Sequence, residues 1–179
     1  LKEFKNEYIC LGPLVDNPTE FIDATHTENW ETIKPILDEL ECSYKYGYWD
    51  IPGKPKVILL SFHNYTNTQE LLHKYWDVYH LDTYNASNDI IHPIIFSTLC
   101  GQFIDLYTKK ETKNKSVVVH AHEWMTGTSI LYLNMLNTSI ASVFTTHATV
   151  LGRAYASQTN KLDFDTISPN DMAAKCGVP

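Results

Sequence analysis

The sequence predicts an α/β fold in which a mostly parallel sheet is flanked by helices. Short apolar runs of strand length alternate along the chain with longer segments whose apolar residues recur at helical spacing. Residues 117–119 and 140–144 look like two buried parallel strands, and residues 126–136 between them have helical spacing. Polar residues follow both runs, at the strand ends where open α/β sheets bind their ligands. A candidate site is therefore expected at that edge of the sheet.

Composition narrows the classes of function. The chain has 179 residues, of which 44% are hydrophobic and 12% aromatic, enough for one domain with a substantial core. The net charge is −7, from 14 basic and 21 acidic residues, so the basic patch of a nucleic-acid binder is missing. A nucleic acid is therefore not an expected partner. A membrane is not expected either, because polar side chains interrupt the longest apolar segment, residues 90–107.

The cysteines and the first residues predict the compartment. The four cysteines, Cys10, Cys42, Cys100 and Cys176, form no C-x-x-C pair. Buried reduced thiols are therefore expected, with two disulfides as the alternative. The charged first residues do not resemble a secretory signal, so the four N-x-S/T sequons are expected to be chance matches. We expect a cytoplasmic protein.

Strands and helices alternate in the first two thirds of the chain. Strands are predicted at residues 8–12, 43–51 and 57–62, the last two forming a hairpin or lying side by side, with a loop at 15–21. Helices are predicted at residues 29–42, 68–79 and 89–107. In the first of these helices, Pro35 either kinks the helix or marks a later start, and Pro93 fits best near the first turn of the third.

Apolar positions at helical spacing give the expected core faces. In the first two helices they are Trp30, Ile33, Ile36, Leu37, Leu40, Leu71, Leu72, Tyr75, Trp76 and Tyr79. Residues 109–115 and 157–161 are expected to be loops, and residues 168–174 a short helix.

His147 is the first candidate for chemistry. It directly follows the second predicted strand and its polar end, Thr145 and Thr146, and precedes the small residue Ala148. An imidazole at the floor of a cleft can hydrogen-bond a sugar hydroxyl or shuttle a proton. The alternative is a structural histidine that is satisfied by the neighbouring backbone.

Arg153 lies six residues further on, near a possible helix start. A guanidinium there can hold a phosphate group in bidentate fashion, and Thr149 and Gly152 near a helix N-terminus would also suit an anion. The alternative for Arg153 is an ordinary surface arginine.

Glu123 and Trp124 follow the first predicted strand. The carboxylate can accept hydrogen bonds from sugar hydroxyls or stabilise positive charge at a sugar carbon, and the indole can stack on a sugar face. The alternatives are an acidic residue that complements the helix dipole and a core tryptophan. His120, His122 and His147 also suggest zinc, but no further Cys or Asp joins them at a recognisable spacing. No G-x-S-x-G elbow, phosphate-binding loop or dinucleotide fingerprint occurs.

These residues lie in two blocks, HAHEWMTG at 120–127 and VFTTHATVLGR at 143–153, and the pair resembles the glycogen synthases of the UDP-glucose-dependent type, glycosyltransferase family 3. The second block is the more specific, because ADP-glucose-dependent starch synthases carry a similar H-D-W block. Weaker similarity covers YICLGPL at 8–14, YKYGYWDIPGKPKVILLSF at 44–62 and the helix at 89–107.

The resemblance implies a fold and a reaction. It implies that residues 1–179 are a single, incomplete Rossmann-like N-terminal domain of a GT-B glycosyltransferase, without the C-terminal nucleotide-binding domain and inactive by itself. The implied reaction is retaining transfer of glucose from UDP-glucose to the non-reducing end of an α-1,4-glucan, with no cofactor and no metal. Implied partners are the nucleotide-sugar donor, the glucan acceptor and, in the full-length protein, further copies of the chain.

The resemblance also implies roles for individual residues. His147 and Glu123 correspond to active-site residues of the family, and Arg153, Thr146, Trp124 and His122 to substrate-binding or motif positions. Two alternatives stay open: a non-catalytic Rossmann-like module that binds a sugar or nucleotide, and a related GT-B transferase with another donor, such as ADP-glucose.

Overall fold

The structure is a computed structural model that describes residues 8–16, 18–111 and 116–158, together with residues 168, 170, 173 and 174. The fold is mixed α/β, as predicted. Its elements in chain order are β1 (Ile9–Pro13), β2 (Phe21–Asp23), α1 (Lys34–Glu39), β3 (Tyr44–Trp49), β4 (Lys56–Leu60), α2 (Thr68–Tyr79), α3 (Asn88–Glu111), β5 (Val118–His122), α4 (Trp124–Met135), β6 (Ala141–Thr145) and α5 (Val150–Gln158).

Four strands form one sheet in the order β1-β4-β3-β2. Only β1 and β4 are parallel, whereas β4–β3 and β3–β2 are antiparallel. The prediction of a mostly parallel sheet is therefore wrong for this sheet, while the hairpin prediction for β3 and β4 is confirmed. The short turn between β3 and β4 makes this pair antiparallel, because a connection of so few residues can join only antiparallel neighbours.

β5 and β6 form a separate, parallel pair in which Val118 lies opposite Ala141 and His122 opposite Thr145. The parallel pairing was predicted, but the burial was not as predicted. β5 alternates between exposed and buried residues, and in β6 Val143 and Phe144 are 46% and 50% exposed. The buried residues of β5, Val119 and Ala121, lie on one face of the pair, and β5 packs against α4.

The main core lies between the four-stranded sheet and α1, α2 and α3. Its most buried side chains, all at most 2% exposed, include Ile36, Leu37, Tyr46, Ile58, Leu60, Tyr75, Leu99 and Phe103. Of the predicted core faces only Trp76 is wrong, since it is 48% exposed. The antiparallel edge of this sheet depends on Gly47, where a Cβ atom would lie 2.0 Å from the carbonyl oxygen of Ile22 in β2.

Two predicted helices have different bounds in the structure. α1 begins only at Lys34, which confirms the later start that Pro35 allows within a first turn. α3 extends beyond its predicted end to Glu111, and Pro93 lies inside the helix rather than in its first turn. Lys109 belongs to α3 instead of the predicted loop, because its ammonium bonds the Asp105 carboxylate at 2.7 Å, one helical turn earlier.

The structure also differs from the predicted loops at residues 15–21 and 157–161. The strand β2 was missed, since residues 15–21 were assigned to a loop, and α5 extends to Gln158, into the predicted loop at 157–161. The predicted short helix at 168–174 lies largely outside the described residues, as do residues 112–115.

Polar contacts join α3 to α4 and fix where α4 begins. The Ser97 hydroxyl donates to the carbonyl of Thr126 at 2.7 Å and accepts the N–H of Ser129 at 2.6 Å. The Tyr75 hydroxyl of α2 bonds the Thr98 hydroxyl at 2.8 Å and donates to the carbonyl of Thr128 at 3.2 Å. α2, α3 and the first turns of α4 are thereby held as one packed layer.

Helix α3 is long and apolar enough to cross a membrane by length and composition alone. However, 56% of its most apolar window is buried inside the protein, and its buried polar side chains Ser97 and Thr98 are hydrogen-bonded to neighbouring helices. This is the arrangement expected of the core helix of a folded domain.

The described cysteines, Cys10, Cys42 and Cys100, are free thiols, which agrees with the prediction of reduced cysteines. Burial raises the pKa of the Cys42 thiol to about 11, and burial likewise raises the pKa of the Cys100 thiol. Both thiols therefore stay protonated near neutral pH, and neither is a candidate nucleophile. Cys176 lies outside the described residues.

Candidate functional site

The period of strand β5 brings two histidines to one face. Val119 and Ala121 point into the protein and are 9% and 3% exposed, whereas His120 and His122 lie on the opposite, exposed face. Successive side chains of a strand point to opposite faces, so the H-x-H spacing requires the two imidazoles to be neighbours. Their ring centroids lie 4.0 Å apart at an interplanar angle of 30°.

Glu123 forms the sharp turn between β5 and α4. Its φ of 66° and ψ of 164° are unusual for a residue with a side chain, and they let α4 begin at the very next residue. Its N–H donates to the carbonyl of Thr145 at the end of β6 at 2.8 Å, and its own carbonyl accepts the N–H of Thr126 at 3.1 Å. The turn is thus tied both to the neighbouring strand and to the first turn of the helix.

The carboxylate of Glu123 leaves its own helix and reaches the turn after β6. Its Oε1 accepts the backbone N–H of His147 at 2.5 Å and the N–H of Ala148 at 2.9 Å. The two N–H donors, that of His147 foremost, hold the pKa of this carboxyl below its usual range, and the charge of Arg153 acts in the same direction. We call this arrangement of Glu123 with the two N–H groups the carboxylate clamp. It differs from the predicted alternative of a helix-dipole acid, because the side chain does not cap α4.

Three imidazoles stand in a row above the ends of β5 and β6. His122 stacks between His120 and His147, and the centroids of His122 and His147 lie 5.2 Å apart in nearly parallel planes. Nδ1 of His122 and Nε2 of His147 share a hydrogen bond of 2.9 Å, and Nε2 of His120 bonds the Thr145 hydroxyl at 2.7 Å. Partial desolvation lowers the pKa of His122, and the two flanking imidazoles lower it further.

Arg153 lies on the first turn of α5. Thr149 caps this helix, because its hydroxyl accepts the N–H of Gly152 at 2.9 Å and its carbonyl accepts the N–H of Arg153 at 2.9 Å. His147 and Arg153 line the same open concavity of about 420 Å³, together with Thr146, Ala148, Thr149, Gly152 and Ala156. The predicted juxtaposition of the histidine and the arginine is therefore present.

The remaining predicted residues lie at the edge of this arrangement. Trp124 is the first residue of α4 and is 48% exposed, so it is a surface side chain and not the core tryptophan of the alternative. Thr146 is exposed and its hydroxyl donates to the carbonyl of Ala148 at 3.3 Å. Glu123 and His147, which were both expected at this edge of the sheet, contact each other through the carboxylate clamp.

Some features of the site were not predicted. The bond between His122 and His147 was not predicted, although the alternation of β5 gives the orientation of His122. Among the described residues, no three His, Cys, Asp or Glu side chains are grouped so that they could hold a metal ion. A second concavity of about 410 Å³ is lined by residues including Tyr65, Gln102 and Tyr132, and none of the predicted site residues lines it.

Comparison with known proteins decides the family. The sequence model of the family described as "Glycogen synthase" matches residues 1–175. The chain belongs to the glycogen synthase family. The resemblance seen in the HAHEWMTG and FTTHATVLGR blocks is thereby confirmed.

Individual relatives are distant but match over most of the chain. The glycogen [starch] synthase of Neurospora crassa is 28% identical over 156 residues, which cover 84% of this chain and 22% of that protein. The Dictyostelium discoideum enzyme of the same name is 26% identical over 162 residues, covering 87% and 18%. Isoform 2 from Saccharomyces cerevisiae is 26% identical over 194 residues, covering 98% and 27%. The chain thus spans only 18–27% of the length of these relatives.

Proposed function

We propose that the protein to which this chain belongs is a retaining glycosyltransferase that moves glucose from UDP-glucose to the non-reducing end of an α-1,4-glucan. Residues 1–179 are, in this proposal, a single incomplete Rossmann-like N-terminal domain of a GT-B enzyme and carry no transfer activity alone. The glycogen synthase family supports the reaction class, the nucleotide-sugar donor and the glucan acceptor. A cytoplasmic location and assembly with further copies of the chain belong to the same proposal.

The observation that carries the proposal is the convergence of His147, Glu123 and Arg153 at the ends of two parallel strands. Three different segments contribute these residues: the turn after β5, the turn after β6 and the first turn of α5. Nothing in the core requires an acid, an imidazole and a guanidinium there, since all three are solvent-accessible. Such convergence at strand carboxyl ends is typical of a ligand site in α/β folds.

The proposed chemistry follows from charge. When the glycosidic bond to the diphosphate breaks, positive charge develops on the sugar and negative charge on the leaving oxygen. Arg153 and the capped N-terminus of α5 offer N–H donors and positive charge to the diphosphate side. His147 offers a ring nitrogen to a sugar hydroxyl near the reacting carbon. Groups fixed before the reaction stabilise such charges more effectively than water, which must first reorient.

Glu123 can hold the turn and serve the reaction at once. Both backbone N–H groups go to Oε1, and no described residue donates to Oε2. The low pKa keeps the group ionised, so Oε2 presents negative charge to the oxocarbenium-like sugar. The wall of the same site is formed, in this proposal, by Trp124, Thr146 and His122. The exposed ring of Trp124 can stack on the face of a sugar.

The test uses the full-length protein. Release of UDP and of ADP is followed with UDP-glucose and ADP-glucose as donors and glycogen as acceptor. We expect transfer from UDP-glucose, and a loss of at least about a hundredfold in His147→Ala, or about 2.7 kcal/mol of barrier.

A matched control is His73→Ala, which removes an exposed imidazole from α2 and should leave the rate unchanged. If glucose is transferred from ADP-glucose but not from UDP-glucose, ADP-glucose is the donor. If neither donor supports transfer, the result favours a non-catalytic binding module. Equal rates for the His147 and His73 variants would contradict the site.

A further inference from the structure

The bond between His122 and His147 has a role that the proposed function does not assign. We propose that His122 is a positioning residue that fixes the tautomer and the orientation of His147, so that Nδ1 of His147 faces the substrate as a hydrogen-bond acceptor. This inference rests on the proposed function, because it concerns how the same site is prepared for the donor.

The bond between the two rings limits which ring nitrogens carry protons. Two neutral imidazoles can share a hydrogen bond only if one ring contributes an N–H and the other a lone pair. The bonded atoms are Nδ1 of His122 and Nε2 of His147, 2.9 Å apart. If Nε2–H of His147 donates to Nδ1 of His122, both rings keep their proton on Nε2, the tautomer that free histidine favours. The reverse assignment would place both rings in the less favoured tautomer.

The surroundings of His122 keep its ring neutral. Its ring lies between the imidazoles of His120 and His147, whose centroids are 4.0 Å and 5.2 Å away. Desolvation and these two rings lower its pKa. The nearby carboxylate, Glu123, bonds the backbone of the next turn, and Arg153 on α5 adds only positive charge. No acid among the described residues is bonded to the His122 ring, so it remains an acceptor for His147.

His147 is held at its backbone and at one ring nitrogen. Its backbone N–H is held by Glu123 and its Nε2 by His122, so two bonds at opposite ends fix the residue. No described residue bonds Nδ1 of His147, and the lone pair of this atom can accept a hydrogen bond from a sugar hydroxyl.

The experiment compares three substitutions of His122 in the full-length protein. Asn branches at the same carbon as His and can place an amide oxygen where Nδ1 lies, Gln places its amide one bond further out, and Phe keeps only the stacked ring. We expect kcat with UDP-glucose to fall about tenfold or more in His122→Phe and His122→Gln, with the donor KM changed less than about threefold. His122→Asn should recover kcat to within about threefold of the natural protein.

Controls separate positioning from general structure. His120→Phe keeps the stack on the other side of His122 and should change kcat less than about threefold, because His120 does not bond His147. An unchanged kcat in His122→Phe, or an Asn variant as slow as the Phe variant, would overturn the proposal.

A second readout does not depend on transfer activity. In the ¹⁵N-histidine-labelled full-length protein, ring-nitrogen chemical shifts report which atom of His147 carries the proton. We expect Nε2 protonated and Nδ1 bare near neutral pH, with a mixture of both tautomers in His122→Phe. Protonation of Nδ1 in the natural protein would overturn the assignment. If the natural protein transfers no glucose, the proposed function fails while this readout still decides the tautomer.

Discussion

The two halves of the described chain, residues 8–111 and 116–158, are built differently. In the first half the central strand β4 is shielded on both faces, with Val57, Ile58 and Leu60 fully buried. In the second half every residue of β6 is at least partly exposed, although three of its five residues, Ala141, Val143 and Phe144, are apolar. The packed half carries none of the predicted site residues, and the open half carries all six.

Apolar periodicity predicts where the core lies, whereas polar residues at strand ends predict where a site lies. Apolar periodicity located the core of the packed half. In the open half the residues that predict the site are polar, and their side chains connect the carboxyl ends of β5 and β6. The open half is therefore held by the packing of α4 on α3 and by hydrogen bonds at one edge, of which the carboxylate clamp is the most specific.

The largest expected effect concerns the packed half. Leu99→Ala in α3 removes a side chain that is 0% exposed, and should lower the free energy of unfolding by about 3 kcal/mol because a cavity remains. The matched substitution in the open half, Leu136→Ala, removes a side chain that is 42% exposed and should cost less than about 1 kcal/mol. Urea denaturation of the chain followed by tryptophan fluorescence measures both. Equal losses of unfolding free energy in the two variants would contradict the difference between the packed and the open half.

The next prediction concerns the carboxylate clamp. Glu123→Ala should increase the exchange rates of the His147 and Ala148 amide hydrogens by about tenfold or more, because both lose a charged acceptor. Glu123→Gln keeps an oxygen at the same distance and should retain most of the protection while it removes the charge.

Transfer by the full-length protein then separates the two roles of Glu123. If the charge on Oε2 serves the sugar, the Gln variant is slow although its turn is intact. Unchanged amide exchange in the Ala variant would show that the turn does not depend on the clamp.

The smallest effect is a pH dependence. The pKa of Glu123 is lowered in the folded chain, so the clamp contributes fully above the ordinary glutamate pKa of about 4.3 and is lost only as the pH falls through the lowered value. The amide resonances of His147 and Ala148, followed by NMR from about pH 6 to about pH 3, should titrate below the ordinary value. Glu123→Gln is the control, in which this titration disappears. A midpoint at or above the ordinary value would contradict the clamp.

The sequence predicted much of the packed half because local pattern determines it. Helix α2 runs over the predicted residues 68–79, and the β3–β4 hairpin follows from two apolar runs around Pro and Gly. The missed strand β2 has only three residues, and its pairing depends on the missing side chain of Gly47. The mixed sheet was not predicted because strand direction depends on tertiary connections that apolar runs do not encode.

In the open half the residue types were predicted and their contacts were not. The polar ends of two parallel strands predicted that His147, Glu123 and Arg153 lie near one another, and in the structure they do. The register of β5 against β6 places His122 opposite Thr145, and only that register brings its ring to His147. The exposure of Phe144 was not predictable either, because burial depends on what packs over a strand and not on the strand itself.

The most direct test of the account is a crystal structure of the full-length protein with UDP-glucose bound. The account predicts the glucose within hydrogen-bond distance, about 3 Å, of His147 Nδ1 and the diphosphate within reach of Arg153. Glu123 should still hold the N–H groups of His147 and Ala148. A donor bound away from His147 and Arg153, for example in the concavity lined by Tyr65, Gln102 and Tyr132, would contradict the central claim.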